Sequence, residues 1–301
     1  MDPIYRQIAA NKRRTIFFFL LYAALFAAIG YFVGLYLGEP VVGFILAALA
    51  FIVIFLVSYY GGQGVVNSMA GSKEVSKQQE PFLYNTVEAL SIAAGKPMPK
   101  LYIIETEVPN AFASGRNPQN ASITVTRGLM NRLNRQELEG VIAHEMAHIN
   151  NYDVLLATIA VVLAGTIVFL GVIIRRMYFF GGIGRSRRSN QSQLIAVIAL
   201  IVLAVLAPIF AQLLKFAISR QREYLADATA ADFTGYPEGL ASALEKITAQ
   251  QVPKSPLENK AIEGLYIVNP SLGARATTNR ASILFSTHPP AEERIRRLRA
   301  M

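Results

Sequence analysis

The sequence contains no cysteine, and that one absence excludes disulfides, cysteine nucleophiles and thiolate metal sites together. Any metal held by this chain has only His, Asp and Glu side chains to bind it. Charge is scarce too: Asp, Glu, Lys and Arg make up 16% of the 301 residues, where a soluble domain carries about 25%. Hydrophobic residues reach 53% and the mean hydropathy is +0.36. That balance excludes an ordinary soluble globule and a disordered chain.

Most of the apolar excess lies in four runs, Ile16 to Leu37, Val41 to Tyr60, Val154 to Ile174 and Leu194 to Leu214, and none of them contains Asp, Glu, Lys, Arg or His. Each has about 20 residues, the length that crosses a hydrocarbon core of about 30 Å. Spans without ionisable groups argue against a transporter or channel. The remaining sequence, roughly 216 residues, suffices for one soluble domain. The first run is longer than a signal-peptide core and lacks a small-x-small cleavage site, so it reads as a retained anchor.

The net charge of +9 comes from basic residues gathered beside the apolar runs. This fits membrane orientation and no nucleic-acid partner. With the N-terminus inside, nine basic residues flank the spans on the cytoplasmic side (Arg6, Lys12, Arg13, Arg14, Lys73, Lys77, Lys215, Arg220, Arg222), against five outside (Arg175, Arg176, Arg185, Arg187, Arg188). The positive-inside rule favours this orientation. The five arginines between runs three and four leave a re-entrant pair as the alternative to two full spans. Gly30, Gly34 and Gly38 recur every fourth residue and predict a close helix approach on one face of the first hairpin.

The soluble part begins after Tyr60. Pro81 to Ala94 has helical spacing and stops at Gly95. Leu101 to Thr106, Ala111 to Ser114 and Ser122 to Thr126 read as short strands, with Arg116 to Asn120 as a turn. Asn134 and Glu137 form a capping-box signature for the helix that follows, and Gln251 to Ser286 reads as mostly loop.

Two of the three histidines of the chain fall in His144-Glu145-Met146-Ala147-His148, an H-E-x-x-H pattern inside the helix capped by Asn134. Spacing of four puts both imidazoles on one helical face, where they can share a zinc ion, with Glu145 beside them to take a proton from water. Leu138, Ile142, Met146 and Ile149 supply an apolar stripe for the opposite side. A chance match to the pattern has odds on the order of one in a thousand.

A catalytic zinc needs a third protein ligand. No third histidine follows at short spacing, and the best candidate is Glu223, one helical turn before Asp227. Asp227 would accept a hydrogen bond from a ligand histidine and fix its ring. The histidines precede run three and Glu223 follows run four. The chain must therefore cross the membrane an even number of times between them.

His144 to His148, the following Asn150-Asn151-Tyr152-Asp153, the later apolar hairpin, the Glu223-x-x-x-Asp227 element and the two N-terminal apolar runs together resemble the M48 family of zinc metallopeptidases, in particular its heat-shock membrane-protease branch. The resemblance implies a mainly α membrane protein with about four transmembrane helices and an α+β zincin-like (gluzincin) catalytic domain carrying a small β-sheet. It implies one zinc ion on His144, His148 and Glu223, Glu145 as catalytic base, and a substrate-binding edge strand at Asn110, Ala111, Phe112 and Ala113. Related enzymes carry a His-Pro element followed by an arginine near the site. This gives His288 or Arg294 an oxyanion-stabilising role, with capping or packing as the alternative.

The expected organisation is a transmembrane hairpin over 1–60, a first catalytic half over 61–153, a second hairpin over 154–214 and a second catalytic half over 215–301. The expected function is zinc-dependent cleavage of membrane proteins at the cytoplasmic face of the cell membrane, with membrane quality control under stress implied by the resemblance alone. The competing reading is a catalytically inactive membrane scaffold of the same fold. Oligomeric state and cleavage preference leave no signature in the sequence.

Overall fold

The computed structural model describes residues 38–162, 220–249, 267 and 289–301, with scattered positions between Ala9 and Leu35. His288, the whole of the fourth apolar run and all but the start of the third lie outside the described residues.

Helix α1 (Pro40–Met69) begins with Pro40 at its first position and runs 30 residues, about 45 Å at 1.5 Å per residue. Val41, Leu46, Leu49, Val53 and Leu56 along it are exposed. Among the described residues it is the one helix long and apolar enough to cross a membrane. The described positions of the first run are helical, and Phe19 and Phe26 lay their rings against Phe51 and Phe55. Gly30 and Gly34 abut Gly43 and Ala47 so tightly that a β-carbon at either would collide. Gly38 differs from the expected stripe. It makes the turn at φ +85°, with open space where a side chain would be.

The sheet has the order β1-β2-β4-β3, with β1 (Lys73–Glu74), β2 (Lys100–Ile104), β3 (Ala111–Asn117) and β4 (Asn120–Thr126). β2 and β4 are parallel, and the other two pairings are antiparallel. The strands around the turn are longer than expected. Asn117 Oδ1 accepts from the Asn120 backbone N–H at 2.9 Å, so the loop closes over two residues. β1 was hidden in the polar stretch after Ser72, because a two-residue exposed strand has no hydrophobic pattern to reveal it.

Side chains alternate across the sheet. Leu101, Ile103, Ala111, Ala113, Ile123 and Val125 enter the main core, while Ile104 and Phe112 join a smaller cluster with Val66 and Ala70 of α1. On that second face Asn67 of α1 donates to Ser122 Oγ at 3.2 Å and accepts from Thr124 Oγ1 at 2.8 Å. The end of the apolar helix is thereby tied to the sheet through buried polar groups, which cost free energy unless paired.

Helix α2 (Pro81–Ala93) matches its expected span, and a short α3 (Arg127–Arg132) follows β4. Helix α4 (Arg135–Asn150) is central and has the expected capping box. The expected two-faced helix is buried nearly all round, because β3 covers one side and helices α6 (Arg220–Thr234) and α7 (Pro237–Thr248) the others. Gly140 permits the tight crossing with α7: a β-carbon there would stand 2.6 Å from Leu240 N. Helix α5 (Asp153–Val162) opens the third apolar run, and α8 (Ala291–Leu298) lies near the C-terminus.

Candidate metal centre

Helix α4 delivers His144, Glu145 and His148, and α6 delivers Glu223 and Asp227. The two helices pack together, and the ligand atoms of His144, His148 and Glu223 lie within 4.8 Å of one another. The His144 and His148 Nε2 atoms are 3.2 Å apart. Glu223 places Oε2 3.7 Å from His144 Nε2 and Oε1 3.5 Å from His148 Nε2. Two nitrogens bound at 2.0–2.1 Å to a tetrahedral zinc stand about 3.3 Å apart, so the spacing suits such an ion.

Each histidine is oriented from behind. His144 Nδ1 lies 3.0 Å from Asp227 Oδ1, and His148 Nδ1 lies 3.1 Å from Asp153 Oδ2. With each Nδ1–H donating to its carboxylate, both Nε2 lone pairs face the shared centre. The pairing of Asp227 with His144 follows the sequence pattern. The pairing of Asp153 with His148 does not, because the helix ends at Asn150 and Tyr152 takes φ +59°. That left-handed residue brings Asp153 back beside a histidine five positions earlier. The axes of α4 and α5 are therefore not continuous.

Arg294 of α8 is 1% exposed. Its Nε and Nη2 donate to Asp227 at 2.9 and 2.7 Å, a two-pronged clamp. The same Nη2 stands 3.3 Å from His144 Nε2, and Nη1 lies 3.7 Å from Glu223 Oε2. The guanidinium thus sits behind the ligand group with its strongest bonds on Asp227. Arg222, also buried, places Nη1 3.5 Å from Asp153 Oδ1. The sequence reads it only as one of the basic residues beside the spans, although one residue before Glu223 puts it about 100° round the same helix.

The electrostatics follow from burial. Glu145, Asp153, Glu223 and Asp227 are buried together with Arg222 and Arg294. Among the described residues, and counted with the imidazoles neutral as metal ligands, these four carboxylates exceed the two guanidiniums by two charges. A divalent cation held there would offset that excess. Burial pulls the His148 imidazole down, but the Asp153 hydrogen bond and the Glu223 charge outweigh it and raise its pKa to about 9. For His144 burial wins, helped by Arg294, and lowers it to about 4. Burial raises Asp227, yet the Arg294 charge and hydrogen bonds from His144 and Arg294 bring it down to about 2. Glu145 is pushed up to about 7 by burial, with the Glu223 charge adding to it.

The Asn110-Ala111-Phe112-Ala113 segment forms the start of β3, an outer strand of the sheet. The Ala113 backbone lies beside the Glu145 carboxylate and acts to lower its pKa, against the larger effect of burial. Of these four residues Ala113 is the one beside Glu145, while His288 lies outside the described residues.

The model for peptidase family M48 matches residues 77–301 of this chain. A protease HtpX homolog of Dictyoglomus turgidum is 48% identical over 305 residues, covering 99% of this chain and 94% of its own length. Protease HtpX homologs of Streptococcus gordonii and Listeria monocytogenes are 41% and 43% identical, each covering 99% of this chain and 100% of the relative. The crystal structure of S. mikatae Ste24p is a looser likeness, with TM-score 0.49 and 14% identity over 99% of this chain and 66% of that one. On the family match and the end-to-end relatives, the chain belongs to peptidase family M48 and is a zinc metallopeptidase.

Proposed function

We propose that this chain is an integral-membrane zinc endopeptidase that cleaves membrane proteins near the cytoplasmic surface of the bilayer. The observation that carries this reading is the largely buried His144–His148–Glu223 group, with Glu145 beside it and next to the backbone of an outer strand. The donor set, two imidazoles and one carboxylate with a carboxylate behind each ring, suits zinc. Zinc held there would polarise the scissile carbonyl and acidify a water molecule.

The protein groups do the rest. β3 aligns an extended substrate backbone by strand addition. Glu145 takes the proton from the attacking water and passes it to the leaving amine nitrogen. Asp227 and Asp153 hold the imidazoles in the ligating tautomer, and Arg294 holds Asp227. Arg294 is thus a positioning residue for His144 in this reading, since its Nε and Nη2 are committed to Asp227.

Membrane attachment is supported by α1, whose exposed aliphatic residues run from Val41 to Val57, about 26 Å of helix. Tyr59 and Tyr60 follow that run within the same helix, with the Arg116 guanidinium 5.3 and 4.8 Å from their ring centroids. Aromatic and basic groups at that depth suit a membrane–water boundary. Beyond them Asn67 docks on the sheet, so the catalytic sheet would sit directly against the bilayer surface.

The test is incubation of detergent-purified protein with a membrane-protein substrate, with and without a zinc chelator. Cleavage abolished by chelation and restored by zinc supports the reading, whereas chelator-resistant cleavage, or none with zinc bound, overturns it. A further expectation concerns the support of His144. Asp227→Asn should weaken zinc binding about 10–100-fold, measured by competition with a chromogenic chelator, and an unchanged affinity would remove the orienting role of Asp227.

A further inference from the structure

The side of β3 turned away from β4 offers main-chain groups at every second residue. Gly115 N–H donates to Thr158 Oγ1 at 2.9 Å, and the Ala113 backbone lies beside the Glu145 carboxylate. The Ala111 carbonyl accepts from the backbone N–H of Ile267 at 3.2 Å. This third partner is unlike the others, because it is itself a peptide group.

Ile267 is held at both ends. Its N–H also points at Asn110 Oδ1, 3.1 Å away, and its carbonyl lies 3.5 Å from Arg294 Nη1. Its side chain is 2% exposed and belongs to the main apolar cluster. One amino-acid residue is therefore bound by the outer strand, by an asparagine and by the arginine behind the ligand group. A strand-added peptide is recognised in this way: main-chain bonds supply affinity and a pocket reads the side chain. Ala111 and Ala113 are two residues apart, about 7 Å along the strand. A peptide seated on Ala111 thus runs past Glu145 with the bond one step further on.

We infer that Ala111, Asn110 and Arg294 form a substrate subsite selective for a branched aliphatic residue, and that Ile267 fills this subsite as an internal competitor. The inference rests on the endopeptidase reading above. A charged side chain at this position would be buried without a partner, and an aromatic one would overfill a space shaped by isoleucine. A substrate residue entering the subsite takes over the hydrogen bonds now made by Ile267, so the apparent affinity falls by the fraction of molecules in which Ile267 is seated.

The test uses zinc-loaded full-length protein in detergent carrying Glu145→Gln, and fluorescent acetylated pentapeptide amides differing only in one residue, Ile, Asp or Trp. Anisotropy is expected to show the Ile peptide bound about 10–100-fold more tightly than the Asp peptide, the span that burying one aliphatic side chain provides. The Trp peptide should also be weaker. Adding Ile267→Gly, which keeps the N–H and carbonyl but removes the anchor, should tighten binding of the Ile peptide several-fold, while Ile267→Leu stays near its parent. With Glu145 intact, Ile267→Gly should lower KM and leave kcat unchanged.

Equal affinity for the Ile and Asp peptides overturns the subsite whether or not any Ile267 variant folds. A folded Ile267→Gly protein with unchanged or weaker binding overturns the competition. If the peptides are discriminated but zinc-loaded wild type cleaves nothing, the endopeptidase reading fails and the subsite stands. Cleavage without discrimination is the reverse result.

Discussion

Glu145→Gln is expected to lower kcat by about 10²–10⁴-fold, the contribution of a positioned general base, while fold and zinc content stay at wild-type levels. Glutamine has the shape of glutamate and fits the same place beside the Ala113 backbone. What it lacks is a site for a proton. The substitution also removes a buried charge that burial and Glu223 disfavour, so the melting temperature should hold or rise. The ligand set of His144, His148 and Glu223 is untouched. Metal analysis, circular dichroism and turnover of one membrane-protein substrate check the three parts, and turnover within twofold of wild type would remove Glu145 as the base.

The parts of this centre that could be read in the sequence are those that one helix brings together. Residues four apart share a face, so His144 with His148 and Glu223 with Asp227 could be paired on paper. The capping box at Asn134 and Glu137 was equally local and forms as expected. Contacts that depend on a break in regular structure or on distant packing were hidden. Asp153 reaches His148 only because Tyr152 adopts a left-handed conformation, and tyrosine carries no sequence signal for that. Arg294 meets Asp227 across 67 residues of chain. The sequence singled it out through a family pattern but could not say which acid it serves.

Hydrophobic periodicity had a similar limit. Helix α4 reads as two-faced because Glu137, Gly140, His144 and His148 share the side opposite its apolar stripe. Each of these is buried or nearly so for its own reason. Glu137 accepts from Ser242 at 2.7 Å and from Lys246 at 2.8 Å on α7, Gly140 lets that helix approach, and the histidines face Glu223. A polar residue in a pattern reads as solvent-facing until its partner is known. A central helix that carries a buried polar centre defeats the rule at the functional positions.

Glu223→Ala is expected to abolish both zinc binding and proteolysis, which separates it from Glu145→Gln. The change removes one of three donors and one carboxylate of the negative excess that favours a divalent cation. The remaining Nε2 atoms of His144 and His148 cannot complete a protein ligand set, and Arg294, 3.7 Å from the lost carboxylate, leaves a positive charge nearest the centre. Asp227 still clamps that arginine at 2.7 Å, so the scaffold should survive the loss. Zinc-dependent stabilisation gives a readout independent of turnover. Ligand that binds only the folded state at about a thousand times its Kd adds about 4 kcal/mol, so wild type should melt several degrees higher with zinc than with chelator. The Glu223→Ala protein should melt at one temperature in both. A zinc-dependent shift of wild-type size in this variant would show that Glu223 is not a ligand. A shift lost together with activity would place the third donor on α6, one turn ahead of the aspartate that holds His144.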